Sequence, residues 1–140
     1  MSGRILGIDH GDRRTGIAVS DPSGKIALGI TTVEANGDRA LIGLIKPYIE
    51  SYGVTLIVVG YPVNMDGSAG SRAALIETFA DKLEAKTGIP VELSDERCST
   101  LNAHAILNET DTRGKNRKAV IDTLSAEIIL QNYLDRTENG

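Results

Sequence analysis

The first third of the chain combines short apolar runs with tight turns. Residues 4–9 (RILGID) predict a buried strand, and a glycine-flanked turn (HGDRRTG) separates it from strand-like residues at 17–20. A second turn at 21–25 (DPSGK) leads into a third predicted strand at 26–33. Strands joined by turns this short pair with each other, so the pattern predicts an antiparallel meander of three strands.

From residue 38 onward the apolar spacing becomes helical. Apolar residues recur every three or four positions over 38–52, where Pro47 is expected to kink or tighten the helix, and again over 72–86. Residues 54–60 (VTLIVVG) are apolar throughout, which is typical of a central strand covered on both faces. Residues 90–94 predict a short fifth strand.

The last third is predicted to be helical, with one interruption. Ser99 or Thr100 can cap a helix that runs to about Leu107, and the polar, basic segment 108–117 is expected to form a loop before a final helix at 118–135. The order β-β-β-α-β-α-β-α-α predicts an α/β fold. We expect a mixed five-stranded sheet, with the first strand central and helices on both faces.

Composition limits the class of protein. The 140 residues, 41% of them apolar, suit one domain spanning residues 1–140. No apolar run approaches the ~20 residues of a membrane-spanning helix. The start of the chain lacks signal-peptide features, and Cys98 is the single cysteine, so we expect a cytoplasmic protein. The net charge of −4 argues against a generic, charge-driven nucleic-acid binder, although an acidic metal site would also lower the charge.

Acidic residues close two of the predicted strands. Asp9 ends the first strand, and Asp95 with Glu96 ends the fifth. If the first, fourth and fifth strands are parallel, these carboxylates emerge at the same edge of the sheet, where sites form in open α/β folds. The alternative is that they are ordinary solvated turn residues, which for any one of them alone is the simpler interpretation.

Asp122 adds a third carboxylate from a distant segment. In the final predicted helix it shares a face with the apolar residues Ala126 and Ile129. A carboxylate in that position is costly to bury unless it is compensated, either by a metal ion or by an arginine such as Arg14 or Arg97. Three converging carboxylates are typical of a site for a hard divalent cation, so we predict Mg²⁺, with Mn²⁺ as a plausible substitute.

A zinc site is not indicated. The chain has two histidines, His10 and His104, and neither has a partner at the HxH or HExxH spacing that zinc sites commonly use.

Four segments together resemble one family. IDHGDRRTGIAVSD, VVGYPVNMDGSAGSR, DERCST and IDTLSAEIILQNYL occur in the order seen in the YqgF (RuvX) family, and they cover nearly the whole chain. That family comprises bacterial relatives of the RuvC Holliday junction resolvases and is also described as nucleases that mature the precursor of small-subunit ribosomal RNA. Cys98 and Ser125 depart from its usual pattern, at positions that are not proposed ligands.

The resemblance implies a ribonuclease H-like fold and a metal-binding catalytic triad of Asp9, Glu96 and Asp122. It also implies phosphodiester hydrolysis that leaves a 5′-phosphate, with Asp9 bridging the metal ions. It leaves open whether Asp95 or Glu96 is the ligand. We favour Glu96, because its longer side chain can reach inward.

Two segments could contact the substrate backbone. The loop at 60–72 follows a buried strand and opens a helix, and backbone N–H groups at a helix start bind anions, although a plain connecting loop is equally compatible with the pattern. A basic cluster precedes the final helix and could equally be a solvated loop. Arg14 could pair with a neighbouring aspartate instead of substrate. The predicted substrate-binding residues are Arg14, Asn64, Ser68, Ser71, Arg72, Arg113, Lys115 and Arg117.

Two other classes of protein compete with a nuclease. A strand ending in Asp-x-Gly followed by a returning strand also resembles the phosphate hairpin of actin-like ATPases and sugar kinases, but those folds need two lobes and this chain can hold one. A catalytically inactive relative could bind nucleic acid or the transcription machinery. We predict a metal-dependent endonuclease that acts on precursor 16S ribosomal RNA or on branched DNA, as a monomer or homodimer.

Overall fold

The computed structural model describes residues 3–11, 13–61, 71–95 and 114–139, with the side chains of 71, 95, 114–122 and 137–139 excepted. Five strands lie in these ranges: β1 (Arg4–Asp9), β2 (Arg14–Ser20), β3 (Ala27–Glu34), β4 (Val54–Tyr61) and β5 (Val91–Asp95). Three helices follow β3, β4 and β5 in turn: α1 (Asp38–Tyr52), α2 (Ser71–Thr87) and α3 (Gly114–Asn139). The predicted helix between Ser99 and Leu107 falls outside the described residues.

The strands form one mixed sheet in the order β3-β2-β1-β4-β5. The first three strands pair antiparallel, with Asp9 opposite Gly16 and Gly16 opposite Thr32. β1 pairs parallel with β4, and β4 pairs parallel with β5. The predicted meander, the five-stranded mixed sheet and the central position of β1 are therefore confirmed.

Helices α1 and α2 cover one face of the sheet. Leu6 and Ile8 of β1 point to this face, where they pack with Ile45 of α1 and with Phe79 and Leu83 of α2 in the larger hydrophobic core. α1 runs unbroken through Pro47 and ends at Gly53, whose φ of 63° is the left-handed conformation that terminates a helix.

Helix α3 covers the opposite face. Its residues Ala126, Leu130 and Leu134 form a second core with Ala18 of β2 and Ala27 of β3. Small residues on the sheet let the helix approach closely. With α1 and α2 on one side and α3 on the other, the predicted arrangement of helices on both faces is confirmed.

Two predicted element starts were wrong by several residues, and the final helix also extends to Asn139 instead of 135. β2 begins at Arg14 instead of residue 17, because backbone pairing with β3 continues as far as Glu34 regardless of the polar side chains. α3 begins at Gly114, so Lys115 and Arg117 lie in a helix and not in a loop. Lysine and arginine are good helix formers, and the basic composition was mistaken for irregular structure.

Among the described residues, no helix is both long and apolar enough to cross a membrane.

Candidate active site

Asp9 stands at the edge of the sheet where three parallel strands end. Because β1, β4 and β5 run in the same direction, Asp9, Tyr61 and Asp95 close their strands at one edge. The predicted shared edge is therefore present as far as Asp95. Glu96, the next residue, lies outside the described part of the chain.

The side chain of Asp9 belongs to the α3 face of the sheet. Side chains alternate along a strand, so Asp9 shares a face with Gly7. A Cβ built on Gly7 would lie 2.7 Å from the Cβ of Leu130 in α3. The half-buried Asp9 carboxylate is thus directed to the side of the sheet that α3 covers.

The direction of α3 brings Asp122 to the same end of the sheet. Gln131 contacts Ala27, and Glu127 contacts Gly29, so the helix runs antiparallel to β3 and hence to β1. Gly7 contacts α3, and Asp9 lies two residues further along β1, about 6.6 Å from Gly7. Asp122 lies four residues before Ala126 in α3, about 6 Å along the helix axis in the direction in which Asp9 lies from Gly7.

A row of paired residues connects Asp9 to that part of α3. Asp9 pairs with Gly16, Gly16 pairs with Thr32, and the hydroxyl of Thr32 lies 2.7 Å from that of Thr123, which follows Asp122 in the chain. Gly16 has no side chain to fill the space beside Asp9. Thr32 and Thr123 were not identified from the sequence, because residues 91 positions apart share no local pattern.

Polar contacts attach the other end of α3 to β5. The Tyr133 hydroxyl donates a hydrogen bond to the Glu92 carboxylate, and Arg136 donates one to the hydroxyl of Ser94 at 2.6 Å. Burial, together with the bond to Glu92, raises the pKa of Tyr133 to about 12, so the phenol stays protonated. Tyr133 also packs against the smaller core.

His10 belongs to the opposite face. Its Nε2 lies 3.5 Å from the Asp38 carboxylate, and its ring centroid lies 4.5 Å from that of the buried Phe79. Lys82 lies 3.5 Å from the same carboxylate, so Asp38 joins β1 to α2. His10 is therefore directed away from the α3 side of the sheet, where Asp9 lies.

Arg72 attaches the start of α2 to the end of β1. Its guanidinium donates a hydrogen bond to the backbone carbonyl of His10, the residue that follows Asp9. Arg14, predicted to lie in a turn, instead opens β2, where its backbone lies opposite that of Glu34 in β3. Gly11 makes the β1–β2 turn possible, because a Cβ there would lie 2.0 Å from the Arg14 carbonyl oxygen.

The remaining predicted site residues are described in part or not at all. The structure gives the backbone, without the side chains, of four of them: Ser71, Lys115, Arg117 and Asp122. Asn64, Ser68, Glu96 and Arg113 lie outside the described residues. Within the side chains that the structure does describe, no group of three or more His, Cys, Asp or Glu could hold a metal ion.

A family model named RuvX, with the description Holliday junction resolvase, matches residues 3–136. The chain belongs to the RuvX family. The family confirms the predicted class, a nuclease that hydrolyses phosphodiester bonds, and decides against a sugar-kinase lobe.

Relatives match along nearly the whole chain. A protein of Moorella thermoacetica is 43% identical over 138 residues, which is 98% of this chain and 99% of that protein. One from Lachnospira eligens is 46% identical over 135 residues, or 94% of this chain and 96% of that protein. Both carry the name "Putative pre-16S rRNA nuclease".

Solved structures share the fold at low sequence identity. Thermus thermophilus RuvC, in complex with a Holliday junction, superposes with a TM-score of 0.59 at 13% identity, covering 99% of this chain and 97% of that one. The fowlpox virus resolvase, in complex with Holliday junction DNA, gives 0.56 at 11% identity, with 96% and 98% covered. These neighbours confirm the ribonuclease H-like fold.

Proposed function

We propose that this RuvX-family nuclease is a divalent-metal-dependent endonuclease that cuts precursor 16S ribosomal RNA. The proposed metal ligands are Asp9, Glu96 and Asp122, with Mg²⁺ as the ion and Mn²⁺ as a substitute. The observation that supports it best is the approach of α3 to β1, which brings the helix turn carrying Asp122 towards Asp9. The name shared by the relatives supports the RNA substrate.

The residues around Asp9 suit a hard cation. Its carboxylate oxygens are ligands that Mg²⁺ prefers, and Gly16 leaves room beside them. Glu96 remains our preferred further ligand over Asp95, because its longer side chain can reach inward.

Each part of the chain has a distinct task in this proposal. Asp9, Glu96 and Asp122 would hold the ions at the edge of the sheet. Arg72 keeps the end of β1 in place through its bond to the His10 carbonyl. The basic start of α3 contributes positive charge for the phosphate backbone. When bound, the ions would activate the attacking water and stabilise the leaving 3′ oxygen, and cleavage of the P–O3′ bond would leave a 5′-phosphate.

Branched DNA is the second candidate substrate. The description of the family model as a Holliday junction resolvase is the observation that favours it. The cytoplasmic location, and the monomeric or homodimeric state, remain predictions from the sequence.

The deciding experiment compares wild-type protein, Asp9→Asn and Asp38→Asn on a precursor 16S rRNA fragment and a four-way DNA junction, each with Mg²⁺ or with EDTA. Asp38 is a matched control, because it lies at the same edge of the sheet but on the α1/α2 face. We expect Mg²⁺-dependent cleavage of the RNA by wild-type and Asp38→Asn protein, and none by Asp9→Asn.

The other outcomes are equally informative. Cutting of the junction alone would replace the RNA assignment with the resolvase one. Full activity of Asp9→Asn, in protein freed of host nucleases, would refute the metal-site assignment. Binding without cutting by the wild-type protein would identify an inactive binding module.

A further inference from the structure

Two threonine hydroxyls join the sheet to α3 close to the proposed metal site. Thr32 in β3 and Thr123 in α3 lie with their Oγ1 atoms 2.7 Å apart, in a partly buried contact where either hydroxyl can donate. Thr123 also rests on Gly29, since a Cβ built there would lie 2.8 Å from its methyl carbon. A hydrogen bond and a close apolar contact therefore hold the same residue of α3.

Each threonine of this pair lies near one of the proposed ligands in the strand row or in the chain. Thr32 lies in the row that contains Gly16 and Asp9, about two strand spacings, or roughly 10 Å, from Asp9. Thr123 is the residue directly after Asp122. Because successive residues of an α-helix are rotated by about 100°, holding Thr123 against β3 also sets the rotation of the helix at Asp122.

We propose that Thr32 and Thr123 are positioning residues that hold the turn carrying Asp122 at the distance from Asp9 at which both carboxylates bind the metal. This inference rests on the proposed function. The requirement is strict, because ligand geometry has to be held within about 0.5 Å. Without the hydroxyl pair, metal binding would also have to order this turn, so the net affinity for the ion would be lower.

A purely structural role makes a different prediction. If the hydroxyl bond only stabilised the fold, its removal would lower the melting temperature and leave the metal affinity of the folded protein unchanged. The affinity for Mn²⁺, measured by calorimetry well below the melting temperature, therefore separates the two roles without relying on cleavage.

The test uses the full chain and five variants. Thr32→Val and Thr123→Val each remove one hydroxyl, and the double variant removes both. Thr32→Ser keeps the hydroxyl and loses the methyl group. Thr31→Val is the neighbouring control, because the hydroxyl of Thr31 donates a hydrogen bond to the backbone carbonyl of Thr32.

We expect each valine variant to bind Mn²⁺ about three- to tenfold more weakly, the range that corresponds to one hydrogen bond. The double variant should be no weaker than the single ones, because both substitutions remove the same contact. Thr32→Ser and Thr31→Val should bind like wild type. In cleavage assays, the valine variants should need correspondingly more Mg²⁺ for half-maximal rate.

If Thr32→Val and Thr123→Val each bind Mn²⁺ as tightly as the wild-type protein, the positioning role is overturned, whether or not their stability falls. The same conclusion follows if the wild-type protein binds no Mn²⁺. If the valine variants bind Mn²⁺ more weakly but no protein cleaves nucleic acid, the positioning role stands and the nuclease assignment fails. If cleavage depends on Asp9 but the Mn²⁺ affinity is unchanged by substitution of either threonine, the nuclease assignment stands and the positioning role fails.

Discussion

Gly7 of β1 lies directly against Leu130 of α3, with no space for a side chain between them. A Cβ on Gly7 would fall 2.7 Å from the Leu130 Cβ and 3.2 Å from the backbone oxygen of Ala126. Both neighbours are held by the helix backbone, so neither can move aside cheaply. This contact sets the distance between α3 and the strand that carries Asp9.

Gly7→Ala should therefore destabilise the protein and disturb the site. We expect a loss of about 1–3 kcal/mol in the free energy of unfolding, typical of overpacking, measured by urea denaturation. Nuclease activity should also fall, because α3 is displaced from β1. Gly43→Ala is the control: nothing lies within 4 Å of its Cβ, and alanine should stabilise α1 by up to about 1 kcal/mol. Wild-type stability of Gly7→Ala would contradict the close contact.

Two buried serines should respond in opposite ways to replacement by alanine. Ser20 and Ser125 are each 1% exposed. The Ser20 hydroxyl accepts a hydrogen bond from the Ile5 N–H at 2.8 Å, whereas the Ser125 Oγ has no partner among the described residues. Ser20→Ala should cost about 1–3 kcal/mol because it leaves the N–H unsatisfied, and Ser125→Ala should stabilise by a similar amount. Thermal and urea unfolding provide the test. A destabilised Ser125→Ala protein would point to a partner for Ser125 outside the described residues.

Asp21, in the turn between β2 and β3, should make the folding stability vary with pH in the acid range. Hydrogen bonds to Asp21 from the Ser23 hydroxyl and then from the Ile26 and Lys25 N–H groups lower its pKa from 3.8 to about 2. A lowered folded-state pKa stabilises the protein above the unfolded value and stops doing so as pH falls. Asp21→Ala should therefore be less stable than wild type at pH 7, and the gap should narrow between about pH 4 and pH 2.

A second variant isolates the cause of that shift. Ser23→Ala removes the largest contribution, so the pKa of Asp21, followed by NMR titration of its carboxyl carbon, should move back towards 3.8. An unchanged Asp21 pKa in Ser23→Ala would mean that the backbone N–H groups alone account for the shift.

The basic start of α3 should supply part of the salt-dependent binding to nucleic acid. Replacing Lys115 and Arg117 with glutamine should weaken binding similarly across sequences and flatten the dependence of log affinity on log salt by about one to two units. Folding stability should hold or rise slightly, because cations near a helix N-terminus oppose its dipole.

Affinity is measured in Ca²⁺ or with Asp9→Asn protein to prevent cutting. Lys46→Gln with Lys86→Gln is the matched control, since it removes two charges from α1 and α2 on the other face. Equal slopes for the two double variants would show that the start of α3 makes no special contribution, leaving Arg14 and Arg72 as the better candidates.

The periodicity of the chain was enough to predict the sheet. Short turns after Asp9 and Ser20 imply antiparallel neighbours, and the apolar segment 54–60 implies a central strand, because both patterns report on local hydrogen bonding and burial. The family and the carboxylate Asp9 at a strand end were also evident from the residues. For the strands and for Asp9 the relevant information lies within a few neighbouring positions, and for the family it lies in four short segments read in order.

The site itself depends on contacts that no local pattern records. That α3 lies on the same face as Asp9 follows from the room that Gly7 and Gly29 leave for the helix. The hydroxyl contact between Thr32 and Thr123 joins residues 91 positions apart. The early start of α3 was missed because its basic residues suit a solvated helix as well as a loop. Periodicity shows which positions are buried, but the packing of segments that are distant in the chain determines which element covers them.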